Sequence, residues 1–286
     1  DTTAAAQNAA FADVTFINIS GDDAYTGDAP ANVGNLMGTM EWGKLIAGCS
    51  AALTTQTGSI GYLGPLINFE TRRLASSAYL GARYCYEKFA GGNPDDLKFN
   101  VTWIGFWFNI PGVTLDPTEE TNAFFDTGSD VVISGIDTTE GIVVAGQRAA
   151  ADEVVWAVPY DYAGACEIAP FICLGVPYFH WGPAYTEIVN AVKEGSYEQS
   201  WDLTNPDWSD LNNADTSGIG FVQGPALSEE MAASLDAFIA EAAAYAQDPA
   251  NEGTVYLWQG PLSYQDGTEI AAADESLPYI APLGET

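Results

Sequence analysis

Four short apolar runs follow one another between Gly58 and Tyr160: Ile60-Gly61-Tyr62-Leu63-Gly64, Phe99-Asn100-Val101-Thr102-Trp103-Ile104-Gly105, Asp130-Val131-Val132-Ile133-Ser134 and Glu153-Val154-Val155-Trp156-Ala157-Val158-Pro159. Helical segments separate them. Apolar strands alternating with amphipathic helices predict an α/β fold with a parallel sheet covered on both faces. In such a sheet a ligand sits beyond the carboxyl ends of the strands. Those ends carry Pro65 and Asn68, Phe106 to Asn109, Ser134 to Glu140, and Tyr160 to Tyr162.

Working outward, Val14 to Ser20 alternates like a strand, and Val33 to Met40 reads as a weaker one. Glu41 to Leu53 is a helix with Trp42, Leu45, Ile46, Cys49 and Leu53 on its apolar face, and Glu70 to Phe89 is another. Thr54 to Gly58 is polar and reads as a crossover between lobes. Pro117 to Thr127 and a segment opening at Thr138 or Thr139 are further helices, with either hydroxyl available as N-cap. Ile172 to Val176 is short and apolar, and Pro183 to Glu194 is a helix with Tyr185, Ile188, Val189 and Val192 on one face. Ser200 to Ser217 reads as a polar surface excursion. Ser228 caps a strong helix to Ala246, Thr254 to Trp258 is a last strand, and the remainder reads as an irregular tail.

The 286 residues carry a net charge of -31, and six of the eight Lys and Arg lie between Lys44 and Lys98. Phosphate binding needs clustered cations, so a nucleic acid polymer is excluded as a partner. The longest apolar runs fall short of the roughly 18 residues of a membrane span. Cys49, Cys85, Cys166 and Cys173 lack metal-site spacing, and the lone histidine is His180, so no metal or cofactor is expected. An even cysteine count fits disulfides and an oxidising compartment; four buried thiols are the alternative. Cys166 and Cys173 bracket a short loop, and Cys49 and Cys85 fall on the buried faces of two helices, which pairs them Cys166–Cys173 and Cys49–Cys85.

Several segments together resemble a known family. Thr57-Gly58-Ser59-Ile60-Gly61-Tyr62-Leu63-Gly64, Ala78-Tyr79-Leu80-Gly81-Ala82-Arg83, Ser129-Asp130-Val131-Val132-Ile133 and Val158-Pro159-Tyr160-Asp161 look like motifs of the basic membrane protein family. Asn32-Val33 before the Gly-Lys-Leu-Ile-Ala-Gly helix looks like the preceding segment. These are substrate-binding lipoproteins of ABC importers, similar to purine-nucleoside receptors. The resemblance implies a type I periplasmic-binding-protein fold of two Rossmann-like lobes, the first incomplete at its N-terminus. It divides the chain into 1–57 in lobe 1, 58–175 in lobe 2, 176–226 returning to lobe 1, and 227–286 as C-terminal helix, last strand and tail. It further implies an extracytoplasmic protein, lipid-anchored before processing, that serves ABC permease domains without chemistry on its ligand. The family's Lys after the returning strand is missing from Val176-Pro177-Tyr178-Phe179-His180-Trp181.

The resemblance gives Asp161 a ligand role, and a carboxylate after an apolar strand suits vicinal hydroxyls. Phe106, Trp107 and Phe108 offer aromatic faces for a flat ring, with 106 and 108 on one side if the strand continues. Tyr160, Tyr178, His180 and Trp181 form a second aromatic group. Asn68 suits ligand binding or N-capping, and Asp137 to Glu140 suit a polar group at a helix start or ordinary capping. Arg72 and Arg73 suit a ligand anion or ion pairs with the surplus acids. The expected ligand is a nucleoside or similar polar ring compound in an interlobe cleft. Two other classes stay open: a self-associating secreted surface protein on the same scaffold, and a hydrolase of nucleosidic or glycosidic bonds, although no G-x-S-x-G, P-loop or H-E-x-x-H motif is present.

Overall fold

A computed structural model describes residues 7–280. The chain divides into two units: residues 1–39 with 179–220, and residues 40–178 with 221–286.

The first unit holds β1 (Phe16–Ile19), α1 (Asp23–Thr26) and β2 (Val33–Gly38). The second opens with α2 (Glu41–Thr54), β3 (Ser59–Gly64), α3 (Phe69–Lys88), β4 (Lys98–Trp103), α4 (Pro117–Asp126), β5 (Val131–Ser134), α5 (Glu140–Ala149) and β6 (Trp156–Val158). Strand β7 (Gly175–Phe179) leads back to the first unit with α6 (Gly182–Glu194) and β8 (Trp201–Thr204), and β9 (Ile219–Gln223), which pairs with β7, leaves it again. Helix α7 (Glu229–Gln247) and strands β10 (Thr254–Gln259), β11 (Leu262–Ser263), β12 (Glu269–Ala271) and β13 (Ser276–Pro278) complete the second unit.

The four runs that define the sequence reading form one sheet in the order β4-β3-β5-β6, parallel throughout. Ile60, Tyr62, Leu63, Val131, Ile133 and Val158 are fully buried, as strands covered on both faces require. The first unit has a parallel sheet β1-β2-β8. Its strand β8 lies inside the stretch that reads as a surface excursion. Its four residues, Trp-Asp-Leu-Thr, mix polar and apolar positions and are too short to show a period.

The two units divide after residues 39, 178 and 220. Helix α2 belongs with the second unit, because it packs along α3 and is cross-linked to it by Cys49–Cys85, Cα atoms 5.1 Å apart. Its whole circumference is buried, not one face. The helices touch through glycine: a Cβ at Gly48 would strike the Ala78 carbonyl, and one at Gly81 the Leu45 carbonyl. Thr54 closes α2, and residues 55–58 bend within the second unit. The Asp130 carboxylate holds the bend, accepting from the Thr55 hydroxyl at 2.5 Å and from the Gln56 and Thr57 amides at 2.6 and 3.0 Å.

The second disulfide, Cys166–Cys173, closes the loop after β6. The tail is not irregular within the described residues: β13 pairs antiparallel with β10, and β11 with β12. No residue of α6 is fully buried; its Val189 is 63% exposed. Among the described residues no helix is long and apolar enough to cross a membrane.

Candidate functional site

In the second unit the carboxyl ends of β5 and β6 bring two acids together above a buried lysine. After β5 the chain turns through Gly135, and the Asp137 amide donates to the Trp107 carbonyl at 2.9 Å. That bond ties the turn to the loop after β4. After β6, Pro159 and Tyr160 lead to Asp161, whose φ of 73° lies in the left-handed region that Asp tolerates better than bulkier residues. The Asp161 amide donates to the Pro177 carbonyl at 3.0 Å, and Asp161 bridges Tyr178. The departing β7 backbone thus fixes the acid's position.

Lys44, on α2, is 0% exposed. Its ammonium donates to the Ser134 carbonyl at 2.6 Å and lies 3.4 Å from the Tyr160 ring centroid and 5.7 Å from that of Tyr62. Burial drives its pKa well below the usual lysine value, while the charges of Asp161 and Asp137 pull it back up. Both acids stand at the surface, yet the protein behind them raises their carboxyls. Asp137 is pushed up to about 6 by desolvation and by Asp161, against Lys44. Asp161 is raised by desolvation, again against Lys44. Burial, and then Asp161, raise the Tyr160 hydroxyl well above its usual value.

The turn into α5 adds polar atoms that lack protein partners. Thr139 stands at its N-cap without a side-chain capping bond, contrary to the expected hydroxyl cap. The Thr138 hydroxyl and Glu140 Oε2 are buried, with no hydrogen-bond partner among the described residues. Unsatisfied polar atoms are costly to bury, and at a helix start they sit beside free N–H groups. A hydroxyl-rich molecule satisfies both.

The other expected residues fall as follows. Strand β4 ends at Trp103, so Phe106, Trp107 and Phe108 lie on a bend after Gly105 (φ 100°) and not on a continued strand. Phe106 and Phe108 meet edge to face, centroids 5.0 Å apart, and Phe108 is 44% exposed. Tyr160 and Tyr178 are buried, and the Tyr160 ring lies over the Lys44 ammonium. Asn68 makes a full capping box with Thr71, its side-chain oxygen accepting from the Thr71 amide at 2.8 Å. His180 and Trp181 belong to the first unit. There the His180 ring bonds the Ser217 carbonyl at 3.0 Å, and Trp181 stacks between Phe179 and Tyr185 at 4.5 and 6.1 Å. Arg73 is spent on buried Glu41, Nε to Oε1 2.8 Å. Lys44 escaped the sequence reading. Its signal was available: an apolar helix interrupted inside by a lysine. Among the described residues no cluster of His, Cys, Asp and Glu forms a metal site.

This architecture defines a class. The α/β fold with parallel sheets is that of the periplasmic binding proteins. It matches an ABC transporter solute-binding protein of Conexibacter woesei at TM-score 0.52 and 18% identity, over 85% of this chain and 72% of that one. One from Aeropyrum pernix matches at 0.57 and 14% identity, over 79% and 64%. A Bacillus halodurans structure titled as a transcriptional activator of the comK gene matches at 0.59 and 16%, over 84% and 74%, so the fold alone does not fix the role. No family model matches the chain. In sequence, 167 residues are 29% identical to the Haloferax volcanii protein named "Putative ABC transporter glucose-binding protein TsgA13". The match takes in 58% of this chain and 38% of that protein's length.

Proposed function

We propose that this chain is the solute-binding component of an ABC importer, working outside the cytoplasm, and that it binds a neutral sugar at the β5 and β6 carboxyl ends. The observation that carries this is the Asp137–Asp161 pair above Lys44, beside the unpaired Thr138 and Glu140 atoms. Two carboxylates over one ammonium make an acceptor-rich, net negative rim. It suits vicinal hydroxyls and disfavours sugar phosphates and sugar acids. The glucose-binding name of the Haloferax relative points the same way. Asp161 and Asp137 accept from ligand hydroxyls, and Phe106 or Phe108 offers a ring face to the sugar's C–H side. Lys44 acts beneath them as a positioning residue. The protein binds and releases its ligand unchanged, and permease domains receive it.

A nucleoside is the second reading. It rests on the basic-membrane-protein motifs and on the bond that sets the Phe106–Phe108 loop beside Asp137. Native mass spectrometry against glucose, other neutral hexoses, adenosine, guanosine and glucose 6-phosphate separates the two. A hexose adduct without product supports the first reading. A nucleoside adduct supports the second, and release of a free base or a cleaved sugar makes the protein a hydrolase.

A further inference from the structure

The second unit holds another concavity, lined by other residues and of a different chemistry. Helix α3 carries two stripes. One is the buried set Leu74, Ala78, Ala82 and Cys85. The other, Arg72, Ala75, Ser76, Tyr79 and Leu80, is spaced i, i+3, i+4, i+7, i+8 and forms the floor of a groove of about 560 Å³. One wall is β4, the edge strand of the sheet, whose alternate residues Phe99, Val101 and Trp103 share a face. The C-terminal strands supply the other wall with Trp258, Leu262, Tyr264 and Ile270. The volume falls within the roughly 300–1,000 Å³ of small-molecule sites.

The lining names a chemistry. Five aromatic rings contribute: Tyr79, Phe99, Trp103, Trp258 and Tyr264. Tyr79 meets Phe99 edge to face at 5.6 Å and 63°, and Trp103 is backed by the buried Tyr62 at 6.5 Å and 61°. The Trp258 indole is anchored by its N–H to the Ser77 hydroxyl at 3.1 Å. In a chain with 39 acids no Asp or Glu among the described residues lines the groove, and its polar side chains include Arg72, Ser76, Ser263 and Gln265. Ala75 and Ser76 are the small residues that keep the floor open. We infer that this groove is a second ligand site, for a planar aromatic compound of one or two fused rings that lies against the wall and floor made by Tyr79, Phe99 and Trp103. This chemistry is opposite to that of the acidic rim, so the inference does not depend on the sugar reading.

The test is calorimetric titration of the whole chain with 2-naphthol and with decahydro-2-naphthol, which keeps the size and hydroxyl but lacks a flat π face. The expected result is one saturable site that binds naphthol at least tenfold more tightly. Ser76→Trp, which fills the groove and removes no ring, is expected to abolish naphthol binding and leave hexose binding and the melting temperature unchanged. If Ser76→Trp misfolds by circular dichroism, Trp103→Leu replaces it, with an expected loss of at least tenfold. Equal affinity for the two compounds overturns the aromatic class. An absence of saturable heat, or full naphthol binding by the groove variant, overturns the site.

Discussion

Replacing Lys44 by Met tests the electrostatic core of the site. Met keeps the length of the stem, so packing is nearly preserved. The ammonium's bond to the Ser134 carbonyl, worth about 1.5–3 kcal/mol for a charged donor, is lost, and so is its contact with the Tyr160 ring, worth about 2 kcal/mol when desolvated. Against this stands the several kcal/mol of desolvation that a buried ammonium costs. The two sides nearly cancel, so Lys44→Met should move stability by no more than about 2 kcal/mol, whereas Lys44→Ala adds a cavity cost of about 2–5 kcal/mol. The effect on the acids does not cancel. Asp137, raised to about 6 when folded, holds its proton more tightly than in the unfolded chain. Its stabilising contribution is therefore present at low pH and is lost as pH rises through about 6. Lys44 lowers that value, so its removal raises it further. An opposite charge nearby shifts a carboxyl by about 1–3 units, and the exposure of Asp137 puts this case near one. Sugar binding needs the ionised acid, so affinity rises with pH. In Lys44→Met the midpoint of that rise should move up by about one unit, with affinity about tenfold lower below it. Carboxyl titration by carbon-13 NMR, paired with calorimetry across pH, reads both. An unmoved Asp137 midpoint would refute the coupling.

Three further outcomes follow from the same structure. Asn68→Ala should cost about 1 kcal/mol in urea melts through loss of the cap and leave ligand affinity intact, since its oxygen is already committed to Thr71. Removing Cys49–Cys85 by paired alanines should cost about 4 kcal/mol on chain-entropy grounds, more than the about 2.5 kcal/mol for the shorter Cys166–Cys173 loop. Phe108→Ala, at an exposed ring, should leave the melting temperature within about 1 °C but weaken a stacked ligand severalfold.

The sheet was legible because β3 and β5 are buried on both faces and so read as apolar runs, with β5 spanning the expected Val131 to Ser134; the edge strand β4 is partly exposed and mixes polar and apolar residues. Cys49–Cys85 was legible because helix periodicity put each cysteine on a buried face, and Cys166–Cys173 because the pair brackets a short loop. The losses have physical causes. Strand β10 stands where Thr254 to Trp258 reads as a strand, but β8 and β11 to β13 are two to four residues long and partly exposed, so neither alternation nor an apolar run marks them. Asp161 was visible as the acid after a strand, but Lys44 lies far from it in sequence, and only the packing of α2 beside β5 and β6 joins them. Tyr178, Phe179, His180 and Trp181 read as an aromatic concentration at a crossover between lobes. The chain leaves the second unit between Tyr178 and Phe179, and so distributes it over two.

The most direct test of the account is calorimetric titration of the wild type and of Asp161→Ala with the hexose that native mass spectrometry selects. Asp161 is exposed and held by its backbone, so the variant should fold as the wild type does. Loss of one charged acceptor predicts binding weaker by about 1.5–3 kcal/mol, or roughly 10- to 150-fold. Unchanged affinity in a folded Asp161→Ala variant would contradict a sugar site at the end of β6.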